Sequence, residues 1–214
     1  MLKLALADCS NLLFIGAHCD DIEIGCGGTI LKILQLNPDV NITWVVLSSN
    51  DLRKNEVENS ARMFCANKEL NLQIKNFRNS YFPYIGAEIK EFFEELKLTL
   101  NPDCIFTHYK KDLHQDHRVI SELTWNTFRD HLILEYEIPK YDGGLGSPNV
   151  FIELNEKDLN NKVKILMNSF TSQLGKSWFS ENTFQALARL RGIECNANSQ
   201  YAEAYYGNKI VIDI

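Results

Sequence analysis

Short apolar runs alternate with longer segments of helical character along most of the chain. Leu12-Leu13-Phe14-Ile15-Gly16 is a continuous apolar run and predicts a strand buried on both faces. After a loop, Thr29 to Leu36 predicts a helix stopped by Asn37-Pro38. The pattern then repeats. Asn41 to Leu47 (NITWVVL) predicts a β-branched strand and Asp51 to Phe64 a helix polar on one side. Leu72 to Phe77 is a weaker strand, followed by an amphipathic helix over Ile85 to Leu100 that ends at Asn101-Pro102. A fourth strand, Cys104 to Thr107, leads into a helix from His117 to about Phe128.

Strands alternating with helices of three or four turns imply βαβ units. The predicted fold class is therefore α/β, a Rossmann-like three-layer sandwich with a mostly parallel central sheet, whose ligands sit at the carboxyl ends of the strands. After Leu132 to Ile138 the pattern loosens into the turn-rich loop Tyr141 to Pro148. The remainder predicts a strand at Asn149 to Leu154, helices at Lys157 to Phe170 and Thr183 to Arg191, and a last strand at Lys209 to Asp213.

The 214 residues fit one domain spanning 1–214, and 45% hydrophobic with 23% charged residues is an ordinary globular balance. With 22 basic against 28 acidic residues the net charge is −6, which argues against nucleic acid as a partner because phosphate binding needs a basic face. Six cysteines form no Cys-x-x-Cys pair, and most read as buried apolar thiols. Met1 to Asn11 is too short and polar for a signal peptide, and no run reaches the roughly 20 apolar residues of a membrane span, so a cytoplasmic protein without a transmembrane segment is expected.

Chemistry concentrates in two stretches. Gly16-Ala17-His18-Cys19-Asp20-Asp21 follows the first strand, and Asp112-Leu113-His114-Gln115-Asp116-His117-Arg118 follows the fourth. Gly25, Gly27 and Gly28 lie nine or more residues past the strand and do not form G-x-G-x-x-G, so close packing or a tight turn explains them better than a dinucleotide loop. In a doubly wound sheet the loops after strands one and four meet at one edge, where His18, His114 and His117 with their neighbouring aspartates favour a metal site over separately satisfied structural residues. Two imidazoles and one carboxylate with an open position form a catalytic zinc arrangement. Such a cation acidifies water and polarises a carbonyl, which suits amide or ester hydrolysis. One carboxylate must bind the metal while another accepts a proton, and Asp20 and Asp21 supply both.

These two stretches resemble the motifs of the LmbE-like, or PIG-L, metal-dependent N-deacetylases, which read Ala-His-Pro-Asp-Asp and His-Pro-Asp-His. Ala17-His18-Cys19-Asp20-Asp21 and His114-Gln115-Asp116-His117 match them, with Cys19 and Gln115 in place of the prolines. The form with Cys is similar to a branch found in bacterial surface-polysaccharide and nucleotide-sugar pathways. The resemblance, which runs from about Leu12 to Tyr205, implies a hydrolase that removes an N-acetyl group from an N-acetylated amino sugar or glycan precursor. It implies zinc, with ferrous iron as the other metal the donors accept, held by His18, Asp21 and His117. It also implies Asp20 as general base, and His114 as oxyanion stabiliser or general acid with Asp116 holding its ring. The family's proline at position 19 argues against Cys19 as a ligand.

Softer matches place Arg53, Glu56 and Glu203 as substrate contacts, with a solvated i, i+3 ion pair as the plain alternative for Arg53 and Glu56. Ser172-Gln173 and Arg191-Gly192 also match without a role. Tyr81-Phe82-Pro83-Tyr84 and Tyr141 are candidate sugar contacts, though aromatics beside loops more often seal a core edge. His108 is expected to border the pocket and His131 to be structural. The resemblance further implies a homo-oligomer, and it leaves open whether the sugar is free, nucleotide-linked or lipid-linked. Two rivals stand: a nucleotide- or cofactor-binding module without hydrolytic activity, and a metal hydrolase of a different bond.

Overall fold

The computed structural model describes residues 6, 9–66 and 70–211. Strand β1 (Asn11–His18) is followed by helix α1 (Asp21–Leu36), β2 (Asn41–Ser48), α2 (Asp51–Phe64) and β3 (Asn71–Ile74). Next come α3 (Gly86–Thr99), β4 (Cys104–His108), α4 (Gln115–Thr127) and β5 (Leu132–Tyr136). The chain continues through β6 (Val150–Leu154), α5 (Glu156–Ser169), α6 (Glu181–Glu194) and β7 (Tyr201–Gly207). The seven strands form one sheet in the order β3-β2-β1-β4-β5-β7-β6. The first five are parallel, and β7 runs antiparallel to both β5 and β6.

The continuous apolar run of β1 reflects burial on both faces. Leu12 and Phe14 enter one core with α1, α2 and α5, while Leu13 and Ile15 enter a second core beneath α3 and α4. In the first core Phe14 stacks on Phe106 with ring centroids 4.5 Å apart, and Tyr205 meets Phe106 edge-on. This three-layer arrangement is the predicted one.

Two elements depart from the predicted pattern. Helix α1 begins at Asp21, eight residues earlier than expected, and takes in Gly25, Gly27 and Gly28. Each helical glycine costs about 1 kcal/mol against alanine. Close packing outweighs that cost, because a β-carbon on Gly25 would overlap Tyr136 and one on Gly28 would overlap Leu154. Burying one aromatic or large aliphatic side chain is worth roughly 1.5–3 kcal/mol, so the approach of α1 to the sheet prevails. All residues from Asp21 to Ile30 are buried, which removes the one-sided polarity that marks a surface helix.

The last strand is Tyr201–Gly207 and not Lys209 to Asp213. Lys209, Ile210 and Val211 are irregular, and Ile212 and Asp213 lie outside the described residues. Tyr201-Ala202-Glu203-Ala204-Tyr205 carries too many small and polar positions to read as a strand. It is nonetheless buried between β5 and β6, with Glu203 clamping α1.

Candidate active site

The sheet order reverses between β1 and β4, and the residues just beyond those two strands face each other there. His18 ends β1, and Asp21 opens α1. Between them Asp20 takes φ 118°, a backbone conformation that non-glycine residues rarely adopt. This sharp turn is what separates the two aspartates. Asp20 faces Arg53 at 3.1 Å, while Asp21 Oδ2 turns back to accept from the His18 backbone N–H at 2.7 Å. From the β4 side, α4 presents His117 from its first turn.

Three atoms converge. His18 Nδ1 lies 3.3 Å from His117 Nε2 and 3.4 Å from Asp21 Oδ2, and His117 Nε2 lies 3.6 Å from the same oxygen. Zinc bonds of about 2.0–2.1 Å in a tetrahedron set donors roughly 3.3–3.4 Å apart, so this triangle fits a tetrahedral cation with one face open. The outer nitrogen of each ring has its own carboxylate. His18 Nε2 is 3.2 Å from Asp116 Oδ2, and His117 Nδ1 is 3.0 Å from Asp112 Oδ2. Those contacts orient the rings with Nδ1 of His18 and Nε2 of His117 inward, the orientation that metal-ligating imidazoles require.

The charges follow from the crowding. Burial lowers the His18 imidazole, but hydrogen bonds to Asp116 and Asp21 outweigh it and bring the group up to about 10. The cluster of aspartates thus draws a positive charge to the place where the donors meet. Burial and the adjacent His108 hold His117 down at about 3, leaving it neutral. Burial raises the Asp20 carboxyl to about 7, with the Arg53 guanidinium pulling the other way.

Asp116 is a correction to the sequence reading. Its carboxylate does not hold the His114 ring: it bonds to His18 and accepts from the backbone N–H groups of Ser80 and Phe82. His114 is oriented instead by the Asp116 backbone amide, which donates to ring Nδ1 at 3.3 Å and makes His114 the N-cap of α4. With Nδ1 accepting, the neutral ring carries its proton on Nε2. Burial and the nearby His18 charge both lower this imidazole, which favours the neutral form.

The substrate assignments divide. Arg53, His18, Asp20, Asp21, His114 and His117 all line a cavity of about 590 Å³. Glu56 does not line it. Buried behind Arg53, Glu56 accepts from the Ser172 amide and hydroxyl and from the Thr171 hydroxyl, pinning the turn that brings Gln173 to the cavity wall. Glu203 is also absent from the wall. Its two oxygens accept from the backbone N–H groups of Gly28 and Thr29 in α1 and from Lys162, whose ammonium also donates to the Ile24 carbonyl.

Two further residues belong to the site. Asp112 was not singled out from the sequence, although a ligating imidazole calls for an outer partner and the carboxylate five positions before His117 was the available signal. His108 lies behind the site and not at the pocket border: fully buried, it stacks on His117 with centroids 3.8 Å apart and places Nε2 3.2 Å from Asp21 Oδ2. Cys19 is buried, its thiol pushed up to about 12 by burial and directed at Ser49, which removes it from the metal donors. His131 is remote, packed on Phe128. A nucleotide fold would seat phosphate at the start of α1, but Asp20, Asp21 and Glu23 occupy that end.

A family model described as PIG-L: GlcNAc-PI de-N-acetylase matches residues 13–128, which include both motifs. The chain is 26% identical over 141 residues to the uncharacterized deacetylase YaiS of Escherichia coli (strain K12), covering 60% of this chain and 74% of that protein. Its fold is similar to N,N'-diacetylchitobiose deacetylase from Pyrococcus horikoshii, with a TM-score of 0.70 and 19% identity over 94% of this chain and 84% of that one. It is also similar to the conserved protein TT1542 from Thermus thermophilus, with a TM-score of 0.73 and 17% identity over 95% and 96% of the two chains. No helix of the described residues is long and apolar enough to cross a membrane.

Proposed function

The chain belongs to the PIG-L family, and from that premise we propose that it is a zinc-dependent hydrolase that removes the N-acetyl group of an N-acetylated amino sugar. The observation that carries this reading is the triangle of His18 Nδ1, Asp21 Oδ2 and His117 Nε2 at tetrahedral spacing, with Asp20 beside it in the same cavity. His18, Asp21 and His117 would hold zinc, or ferrous iron, which when bound acidifies water and polarises the acetamide carbonyl.

The chain's own groups do the rest. Asp20, held at Oδ1 by Arg53, accepts the proton of the attacking water. His114, with its proton on Nε2, donates a hydrogen bond to the oxyanion as the carbonyl becomes tetrahedral, and the proton that Asp20 took from the water passes to the leaving amine. Asp116 and Asp112 keep the imidazoles of His18 and His117 turned inward. The amide and hydroxyl groups of Asn50, Asn79 and Ser49 along the wall suit sugar hydroxyls.

The test is acetate release from N-acetylglucosamine by metal-replete protein, with Asp20→Asn and His18→Ala beside the parent. Asp20→Asn is expected to keep the metal and lose the activity, and His18→Ala to lose both. Retention of stoichiometric metal by His18→Ala, or turnover by Asp20→Asn within a few-fold of the parent, would overturn the assignment.

A further inference from the structure

The loop after β3 is gripped at one strained residue from both sides. Lys75 and Phe77 extend the pairing with β2 by donating to the Val46 and Leu47 carbonyls at 2.8 and 3.0 Å. Residues 78–81 then turn, closed by the Tyr81 N–H on the Arg78 carbonyl at 3.2 Å. The third residue of that turn, Ser80, has φ 65°, a left-handed backbone that glycine takes freely and serine does not. Such strain persists where the surroundings over-determine it, and it gathers at functional sites.

The first turn of α4 supplies the grip. The Ser80 N–H donates to Asp116 Oδ2 at 2.7 Å, and the Ser80 carbonyl accepts from Gln115 Nε2 at 2.6 Å. Asp116 also accepts from the N–H of the fully buried Phe82 at 3.2 Å. Residues 76–80 all line the cavity, and the Ser80 hydroxyl donates to Asn79 Oδ1 at 3.3 Å, so the hold on Ser80 reaches Asn79 as well.

The two neighbours divide the work. Asp116 serves His18 as well as the loop, whereas among the described residues the Gln115 side chain bonds to Ser80 alone. Gln115 is the first residue of α4 and stands where the family motif has proline. Proline would start this helix equally well: the first helical N–H has no partner within the helix, and His114, at φ −74° and ψ 123°, already has the extended backbone that a following proline requires. What the glutamine adds is the donor to Ser80.

Resting on the deacetylase reading, we propose that Gln115 is a positioning residue for substrate recognition, holding the 76–80 loop through Ser80 in the form that meets the sugar. Gln115 does not itself line the cavity, so it acts on the substrate only through that loop.

Gln115→Pro and Gln115→Met both remove the donor, the first preserving the helix start and the second the side-chain length. The experiment measures KM and kcat for acetate release from N-acetylglucosamine by metal-replete protein. Chelator competition gives the metal affinity, and mass spectrometry gives hydrogen exchange in segment 76–82. Both variants are expected to raise KM by roughly 3–10-fold, the scale of one hydrogen bond, with kcat and metal affinity within about two-fold of the parent. Exchange in 76–82 is expected to quicken while that of α4 stays parental. A merely structural role would instead lower the folded fraction, and with it the apparent kcat, at constant KM. A KM within about two-fold of the parent in either folded variant, metal affinity that falls in step with activity, or parental exchange in 76–82 would overturn the proposal. Should the parent release no acetate, the deacetylase reading fails by itself and exchange decides the grip on the loop. Faster exchange of 76–82 in both variants then supports it, and parental exchange overturns it.

Discussion

Replacing Asp116 with Asn exchanges one carboxylate oxygen for an amide nitrogen in a group that serves three donors. Oδ2 faces the Ser80 N–H at 2.7 Å and His18 Nε2 at 3.2 Å, and Oδ1 faces the Phe82 N–H at 3.2 Å. An asparagine best keeps its oxygen at the Oδ2 position, which sets its NH2 against the Phe82 N–H. One buried donor is then unsatisfied, a loss of about 1–3 kcal/mol in stability. The His18 ring keeps a partner but loses the charge behind it. Loss of an outer carboxylate of this kind weakens metal binding by about 10–100-fold, or roughly 1.4–2.7 kcal/mol. Competition with a chromogenic chelator gives the metal affinity, and a urea titration of the metal-free protein gives the stability. Had Asp116 held His114, as its position in the motif implies, Asp116→Asn would lose turnover at unchanged metal affinity. A metal affinity within two-fold of the parent, alongside impaired turnover, would refute the structural assignment. Asp112→Asn provides the parallel case through His117, since Asp112 accepts from that ring, from Lys140 and from the His114 amide.

His114→Ala is expected to keep stoichiometric metal by elemental analysis and to lose roughly 10²-fold or more in kcat, the scale of an oxyanion donor; parallel loss of metal would make it a ligand. Lys162→Met leaves the buried Glu203 carboxylate without its cation and is expected to destabilise by about 3–5 kcal/mol in denaturant titration, while activity per folded molecule persists. Burial raises the Glu23 carboxyl to about 8 in the fold, against an unfolded value near 4.5, so its contribution to stability is greatest below pH 4.5 and falls as pH rises toward 8. Glu23→Gln removes that slope, so its urea midpoint is expected to gain on the parent between pH 5 and pH 7.5; a difference that stays flat or reverses would be evidence of an ionised Glu23.

Apart from the edge strand β3, which is only partly buried and reads weakly, the parallel part of the sheet was legible because its inner strands β1, β2, β4 and β5 are largely buried on both faces and each surface helix keeps one polar side. Asp51–Phe64 is helical over its predicted residues for that reason. The pattern failed where burial is complete or unusual. Helix α1 has no polar face to announce its first turns, and β7 hides a glutamate at its centre. The residues proposed as the three donors and the base were legible as residue types beyond strands one and four. The partner of each ring was not, because Asp116 lies two residues from His114 in sequence but reaches His18 across 98 positions. Glu56 and Glu203 misled for a related reason: a buried carboxylate that binds backbone amides looks, in sequence, like one that binds substrate.

The clamp of Glu203 and Lys162 on α1 also sets an order of assembly. All three proposed metal donors lie within the first 117 residues, yet α1 receives its hydrogen bonds at Gly28 and Thr29 from a strand some 175 residues later. That strand must itself slot between β5 and β6, which are joined to it only by long-range pairing. Contacts of such sequence separation form late, because loop closure precedes their reward. A chain emerging from the ribosome would therefore expose the aspartates and histidines well before the helix that aims Asp21 is secured, and ordered metal uptake would follow completion of β7.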